Sequence, residues 1–314
     1  MKPIPFYVIP RKEIDRLTRA APVPHSLLES YLSVRSGILS DGGTDIFCRN
    51  FRSEGQRWTA FDLFERVETP GPGVLIVFPT WLELFLSGDV RQNIRRCIDW
   101  TLETHPRNAI VFQWNHDTDA AAMPEFNDLP PRAFVIQFNT SNPRPNDILV
   151  PFWTIDTNRP AVEKQWKAGF VGYVGSIQVR QRLAKAIRGR ERDGYFFGRD
   201  RIPEGQWLNL VGSFWFSLCP RGGGLSSYRY FQSIQCGSVP VLFGDDAKLP
   251  FADLDYSKFS LRLPEAMAGD LGYIDAALNQ ADKVELTKGV EAVRERFSLA
   301  GVQKEVWHRV RSAV

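Results

Sequence analysis

Residues 213–229 read SFWFSLCPRGGGLSSYR. The opening run from Phe214 to Leu218 is apolar and aromatic without alternation, the pattern of a strand covered on both faces. It leads through Arg221 into Gly222, Gly223 and Gly224, and then to Ser226 and Ser227. The two serines stand where a helix begins, and either can cap it. Three consecutive glycines leave backbone N–H groups open to close approach by a ligand. A helix start favours an anion, and Arg221 and Arg229 carry guanidinium groups matched to phosphate. Strand, glycine loop, helix start and flanking arginines together form a cradle for a diphosphate. The plain alternative is a glycine turn with two solvent-facing arginines.

The segment that follows extends this unit. Phe231 and Ile234 turn a helix inward, Gly237 ends it, and Val239 to Phe243 is the next strand. Gln232 lies one turn past the loop, where its amide can meet a ribose or a base edge. The loop matches neither GxGxxG nor GxxxxGK followed by Ser or Thr. That removes direct support for a nicotinamide oxidoreductase or a P-loop kinase.

Further out, short apolar runs recur at Val74–Phe78, Ala109–Trp114, Phe134–Phe138, Ile148–Phe152, Gly169–Gly175 and Tyr195–Phe197. Helical spacing appears at Val90, Ile94, Cys97 or Ile98, and Thr101 or Leu102, and again at Val179, Leu183 and Ile187. Strands alternating with helices predict an α/β chain with parallel sheets. Mixed charge, Pro160 and Trp166 mark a junction in residues 154–167. The expected organisation is a domain over 1–165, a second over 166–275, and a helical tail over 276–314. Ligands of open parallel sheets bind beyond the carboxyl ends of the strands.

The chain has 314 residues, 43% hydrophobic, with 39 Lys plus Arg against 36 Asp plus Glu. It can build cores, and a net charge of +3 does not mark a nucleic-acid binder. The basic run between Arg180 and Arg201 reads as a solvated face, able to touch anionic lipid. Four scattered cysteines and four histidines offer neither a disulfide framework nor a metal-ligand spacing, so no metal is expected. No apolar run is long enough to span a membrane, and the start does not read as a signal peptide. The expected location is the cytoplasm, with peripheral membrane association open.

The strings Phe216-Ser217-Leu218-Cys219-Pro220-Arg221-Gly222, Ser227-Tyr228-Arg229-Tyr230-Phe231-Gln232 and Cys236-Gly237-Ser238-Val239-Pro240-Val241, with Asp245 and Leu249-Pro250-Phe251, resemble the exostosin-like glycosyltransferases. Asp147 to Pro151, Gly169 to Gly175 and Val179-Arg180 look like earlier landmarks of that family. The resemblance spans roughly residues 147–262. It implies a GT-B architecture, two Rossmann-like domains facing across a cleft. The C-terminal domain would bind a nucleotide sugar, usually a UDP-sugar, and the N-terminal domain a carbohydrate acceptor. Transfer would invert the anomeric centre without an integral metal or a tightly bound cofactor. The donor site implied comprises Arg221, Gly222, Gly223, Gly224, Ser226, Ser227, Tyr228, Arg229, Gln232 and Asp245. Two departures stand out. Family members commonly carry glutamate where this chain has Gln232, and an Asp-His pair often found in the N-terminal domain is missing.

Inverting transfer needs a base on the acceptor side. Asp117 follows a strand end, and His116 beside it has the side chain suited to proton transfer near neutrality. Asp119 is a third candidate, although Asn115, Asp117 and Asp119 equally suit turn capping. Glu83 is a further carboxylate of this kind. Trp153 and Trp215 can stack on a sugar or base, with core packing the favoured reading. A non-catalytic nucleotide-sugar or glycan-binding protein is the competing function.

Overall fold

The computed structural model describes residues 2–10, 13, 16–17, 63–78, 90–114, 119–138, 140–151, 162–198, 202 and 204–314. The chain divides into one unit of residues 1–150 with 302–314, and another of residues 151–301. The sequence placed this boundary at 165/166 and grouped 276–314 as a separate tail. Instead the last helical residues belong with the first unit, and the preceding helices with the second.

In the first unit, strands β1 (Ile4–Val8), β2 (Phe64–Arg66), β3 (Leu75–Phe78), β4 (Ile110–Trp114), β5 (Ala133–Gln137) and β6 (Asp147–Leu149) form a sheet. Their order is β2-β1-β3-β4-β5-β6, and every pairing is parallel. Helix α1 (Val90–Thr104) buries Ile94, Cys97 and Ile98 in a core with Ile76, Phe78, Phe112 and Trp114. That is the face predicted from the three- and four-residue spacing.

Strand β1 is not among the strands read from the sequence, and it holds proline at Pro5, a residue that strands seldom tolerate. The ladder explains how it forms. Ile4 N–H donates to the Leu63 carbonyl on the β2 side. Pro5 therefore faces the β3 side, where pairing begins only at Leu75 opposite Phe6. The missing donor falls just ahead of the ladder.

The second unit carries β7 (Trp166–Val171), helix α2 (Gln178–Ile187), β8 (Tyr195–Gly198), helix α3 (Glu204–Gly212), β9 (Phe214–Pro220), helix α4 (Tyr228–Gln235), β10 (Val239–Phe243) and β11 (Leu261–Leu263). The strand order is β11-β10-β9-β7-β8, again all parallel. From β7 the chain moves outward to β8, then crosses back to lay β9 on the other side of β7. The order reverses between β7 and β9, and such a reversal opens a crevice beyond the strand ends. Gly169 on β7 leaves room for the Phe214 ring, since a Cβ there would sit 2.5 Å from it.

Helix α4 ends as a full Schellman turn. Gly237 takes a left-handed φ of 71°, its N–H donates to the Ile234 carbonyl, and Ser238 N–H donates to the Ser233 carbonyl. Helices α5 (Leu271–Gln280) and α6 (Lys283–Val293) follow, and Asp270 and Asp282 cap them. The last helix, α7 (Leu299–Val310), brings Arg309 to the carbonyls of Pro145 and Asp147 in the first unit. Among the described residues, no helix is long and apolar enough to cross a membrane.

Candidate functional site

The switch point of the second sheet lies where β7 and β9 end, and the glycine loop leaves β9 there. Arg221 N–H donates to the Phe243 carbonyl, carrying the β9–β10 ladder one residue past Pro220. The chain then folds on itself, and Gly222 N–H donates to the Ser226 carbonyl at 3.1 Å. Among the described residues, the N–H groups of Gly223, Gly224 and Ser226 meet no acceptor in the chain. The loop rests on Gly244, where a Cβ would come 2.9 Å from the Leu225 carbonyl oxygen. Glycine just past β10 is thus required by close backbone approach.

Ser227 occupies the N-cap of α4 with extended φ and ψ. Its side chain makes no capping hydrogen bond. The residue is 2% exposed, and its Oγ has no partner. A buried hydroxyl normally finds one, because leaving it unsatisfied costs about 1–3 kcal/mol. Ser227 thus stands at the head of α4 with a buried hydroxyl that has no internal role.

The two arginines of the sequence reading behave differently. Arg221 donates from Nε to Glu265 Oε1 at 2.7 Å, and both side chains are partly exposed. Glu265 is itself fixed, its N–H donating to Asp245 Oδ1 and its carbonyl accepting from Arg182 Nη2. Arg229 points back into the fold. Its Nε donates to the Val171 carbonyl at 2.6 Å and its Nη1 to Gln232 Oε1 at 2.9 Å. Its guanidinium stacks 4.2 Å from the Trp207 ring centroid and 5.2 Å from that of Tyr228. Arg229 thus anchors α4 to the end of β7, and Gln232 is buried as its acceptor.

The sequence reading missed two participants. Glu265 lies 44 residues from Arg221, and no motif links them. Arg180 was assigned to a solvated face, yet it is buried. It follows the inward-facing Val179 in the first turn of α2, and its guanidinium donates to the Arg221 and Tyr173 carbonyls. The signal available was its position next to Val179, at the edge of the apolar stripe.

His116 and Asp117 of the first unit lie outside the described residues, as do Asn115 and Glu83 there and Trp153 of the second unit. Asp119 has the ordinary turn-forming role. It accepts from Ala121 N–H at 2.9 Å, and from the backbone and hydroxyl of Ser141. Trp215 lies under the Lys283 ammonium, 4.6 Å from its ring centroid. Among the described residues, no three His, Cys, Asp or Glu side chains gather as a metal site. A cavity of about 540 Å³ beside β10 and β11 is walled by Leu242, Lys248, Tyr256 and Arg262 among others, and no glycine-loop residue lines it.

A probable glycosyltransferase of Arabidopsis thaliana is 28% identical to the chain over 110 residues, a match covering 34% of this chain and 23% of that protein. Among solved structures, the pneumococcal O-GlcNAc transferase GtfA in complex with UDP and GlcNAc is similar with a TM-score of 0.45 at 10% identity, covering 76% of this chain and 57% of that one. HepE of Anabaena, in complex with UDP-glucose, is similar with a TM-score of 0.44 at 10% identity, covering 76% of this chain and 78% of that one. The Exostosin GT47 domain matches residues 101–278, more than half of the chain, and takes in the switch point, the glycine loop and both arginines. This chain belongs to the exostosin GT47 family.

Proposed function

We propose that this chain transfers a sugar from a nucleotide-sugar donor, a UDP-sugar in the first instance, to a carbohydrate hydroxyl in glycan or polysaccharide synthesis. The observation that carries this reading is the unpartnered, buried Ser227 hydroxyl at the head of α4, beside open N–H groups of the glycine loop. Such a set binds an anion, and its place at a topological switch point suits a nucleotide. Family membership supports reading the anion as the diphosphate of a sugar donor.

In an inverting reaction the acceptor hydroxyl attacks C1 from the side opposite the diphosphate, and negative charge grows on the departing group. Arg221 and the loop N–H groups stabilise that charge, and fixed donors do so without reorganising. Their effect is greatest in the charge-separated transition state, so they accelerate the step. Arg221 must leave Glu265 or share its guanidinium between carboxylate and phosphate. His116 or Asp117 takes the acceptor proton in this reading, and the reaction proceeds in the cytoplasm without an integral metal. Gln232 favours the second reading, a non-catalytic nucleotide-sugar or glycan-binding protein, because a neutral amide stands there and its oxygen is engaged by Arg229.

Thermal-shift titration with UDP, GDP and their sugars tests the donor site. UDP should raise the unfolding temperature, and Arg221→Ala should remove most of that shift. Equal stabilisation of both proteins excludes Arg221 from the site. Transfer and hydrolysis assays over a panel of UDP- and GDP-sugars then separate enzyme from binder.

A further inference from the structure

Arg180 is 5% exposed, in the first turn of α2. Its Nε donates to the Arg221 carbonyl at 3.0 Å and its Nη1 to the Tyr173 carbonyl at 2.8 Å. Tyr173 lies in the loop after β7, and Arg221 is the first residue after β9. One side chain therefore joins the two strand ends that flank the switch point. Its third nitrogen lies against the glycine loop, since a Cβ on Gly222 would come 3.2 Å from Nη2.

This arrangement has an electrostatic consequence. Within a peptide group the carbonyl and the following N–H point in opposite directions. Arg180 holds the Arg221 carbonyl inward, and Gly222 N–H on the far side closes the loop through the Ser226 carbonyl. A carbonyl drawn inward is one fewer partial negative charge facing an incoming anion, and the loop is held in one conformation. A buried guanidinium also acts at low effective dielectric, where its charge is poorly screened. Placing a charge there is costly for folding unless it is well bonded.

Resting on the donor-site reading above, we propose that Arg180 is the positioning residue of the diphosphate site. It sets the glycine loop and places a fixed positive charge behind it, without itself touching the ligand. The ligand class it selects is the nucleoside diphosphate over the monophosphate, because its influence is directed at the loop that holds the phosphates.

The test is isothermal titration calorimetry of the full chain with UDP and with UMP, for wild type, Arg180→Lys and Gly222→Ala. The lysine variant keeps a charge but cannot reach two carbonyls with one planar group. It should lose about tenfold or more in UDP affinity, the scale of a charge-assisted hydrogen bond, and about threefold or less for UMP. Gly222→Ala presses on the guanidinium with little change to the core, and should also weaken UDP more than UMP. It serves as the deciding variant if Arg180→Lys fails to unfold cooperatively. Wild-type protein that binds no UDP overturns the donor-site reading itself. Wild type that binds UDP, with variants that lose UDP and UMP equally or lose neither, leaves that reading intact and overturns the role of Arg180.

Discussion

Replacing Ser227 by alanine separates a helix cap from a ligand group. At an ordinary N-cap, serine to alanine costs about 0.5–2 kcal/mol, because a helix N–H loses its acceptor. Here the side chain makes no such bond, and its hydroxyl is buried without a partner. Removing it takes away an unsatisfied group whose burial costs about 1–3 kcal/mol. It leaves only a small void. The expected change in the free protein therefore runs from neutral to about 1 kcal/mol of stabilisation, a rise of about 2–4 °C in Tm for a domain of this size. Binding should change the other way. A hydroxyl donating to a phosphate oxygen contributes about 1.5–3 kcal/mol when charge-assisted, so UDP affinity should fall about tenfold or more. Urea denaturation gives the first quantity and calorimetry with UDP the second. A Ser227→Ala protein that is 1 kcal/mol less stable, with unchanged UDP affinity, would refute the reasoning and make Ser227 a cap.

Three other outcomes follow from single contacts. Glu265→Gln removes the carboxylate bound to Arg221, and UDP should bind about two- to fivefold more tightly in calorimetry, the scale of a partly exposed ion pair. Weaker binding would make Glu265 a support for Arg221 instead. Gly169→Ala forces a methyl against the Phe214 ring between β7 and β9, and should destabilise the second unit by about 1–3 kcal/mol in urea denaturation. A loss below about 0.5 kcal/mol would show that the ring moves aside freely. His105 is buried in the first unit, and burial, reinforced by nearby Arg132, holds its imidazole below the usual value of 6.5. Between the folded and unfolded values the unfolded chain binds more protons, so stability should fall as pH drops below 6.5. Comparing urea midpoints across that range for wild type and His105→Gln checks this, and an identical acid-side slope in both would count against it.

The α/β class was legible because its signals are local. An uninterrupted apolar run marks a doubly covered strand, and most strands from Leu75 to Phe243 lie within a residue or two of such a run, whereas β7 starts three residues before Gly169 and β6 ends three before Phe152. Gly237 announced the end of α4, because the Schellman turn needs a left-handed residue and glycine takes that conformation most easily. The same holds for the strand–glycine–helix order that makes residues 213–229 a candidate anion cradle. Strand β1 escaped notice because proline's tolerance depends on which neighbour its missing N–H faces, and a partner strand is not visible in a run of residues. The inner layer of the site was hidden for a related reason. Arg180 to Arg221, Arg221 to Glu265 and Arg229 to Val171 are separated by 41, 44 and 58 residues. An arginine reads alike in sequence whether it is solvated, paired or buried against carbonyls. Only the reversal of strand order between β7 and β9 brings two strand ends, a helix start and three guanidinium groups to one place. It leaves Arg221 partly exposed on Glu265, while Arg180 and Arg229 are bonded to backbone carbonyls.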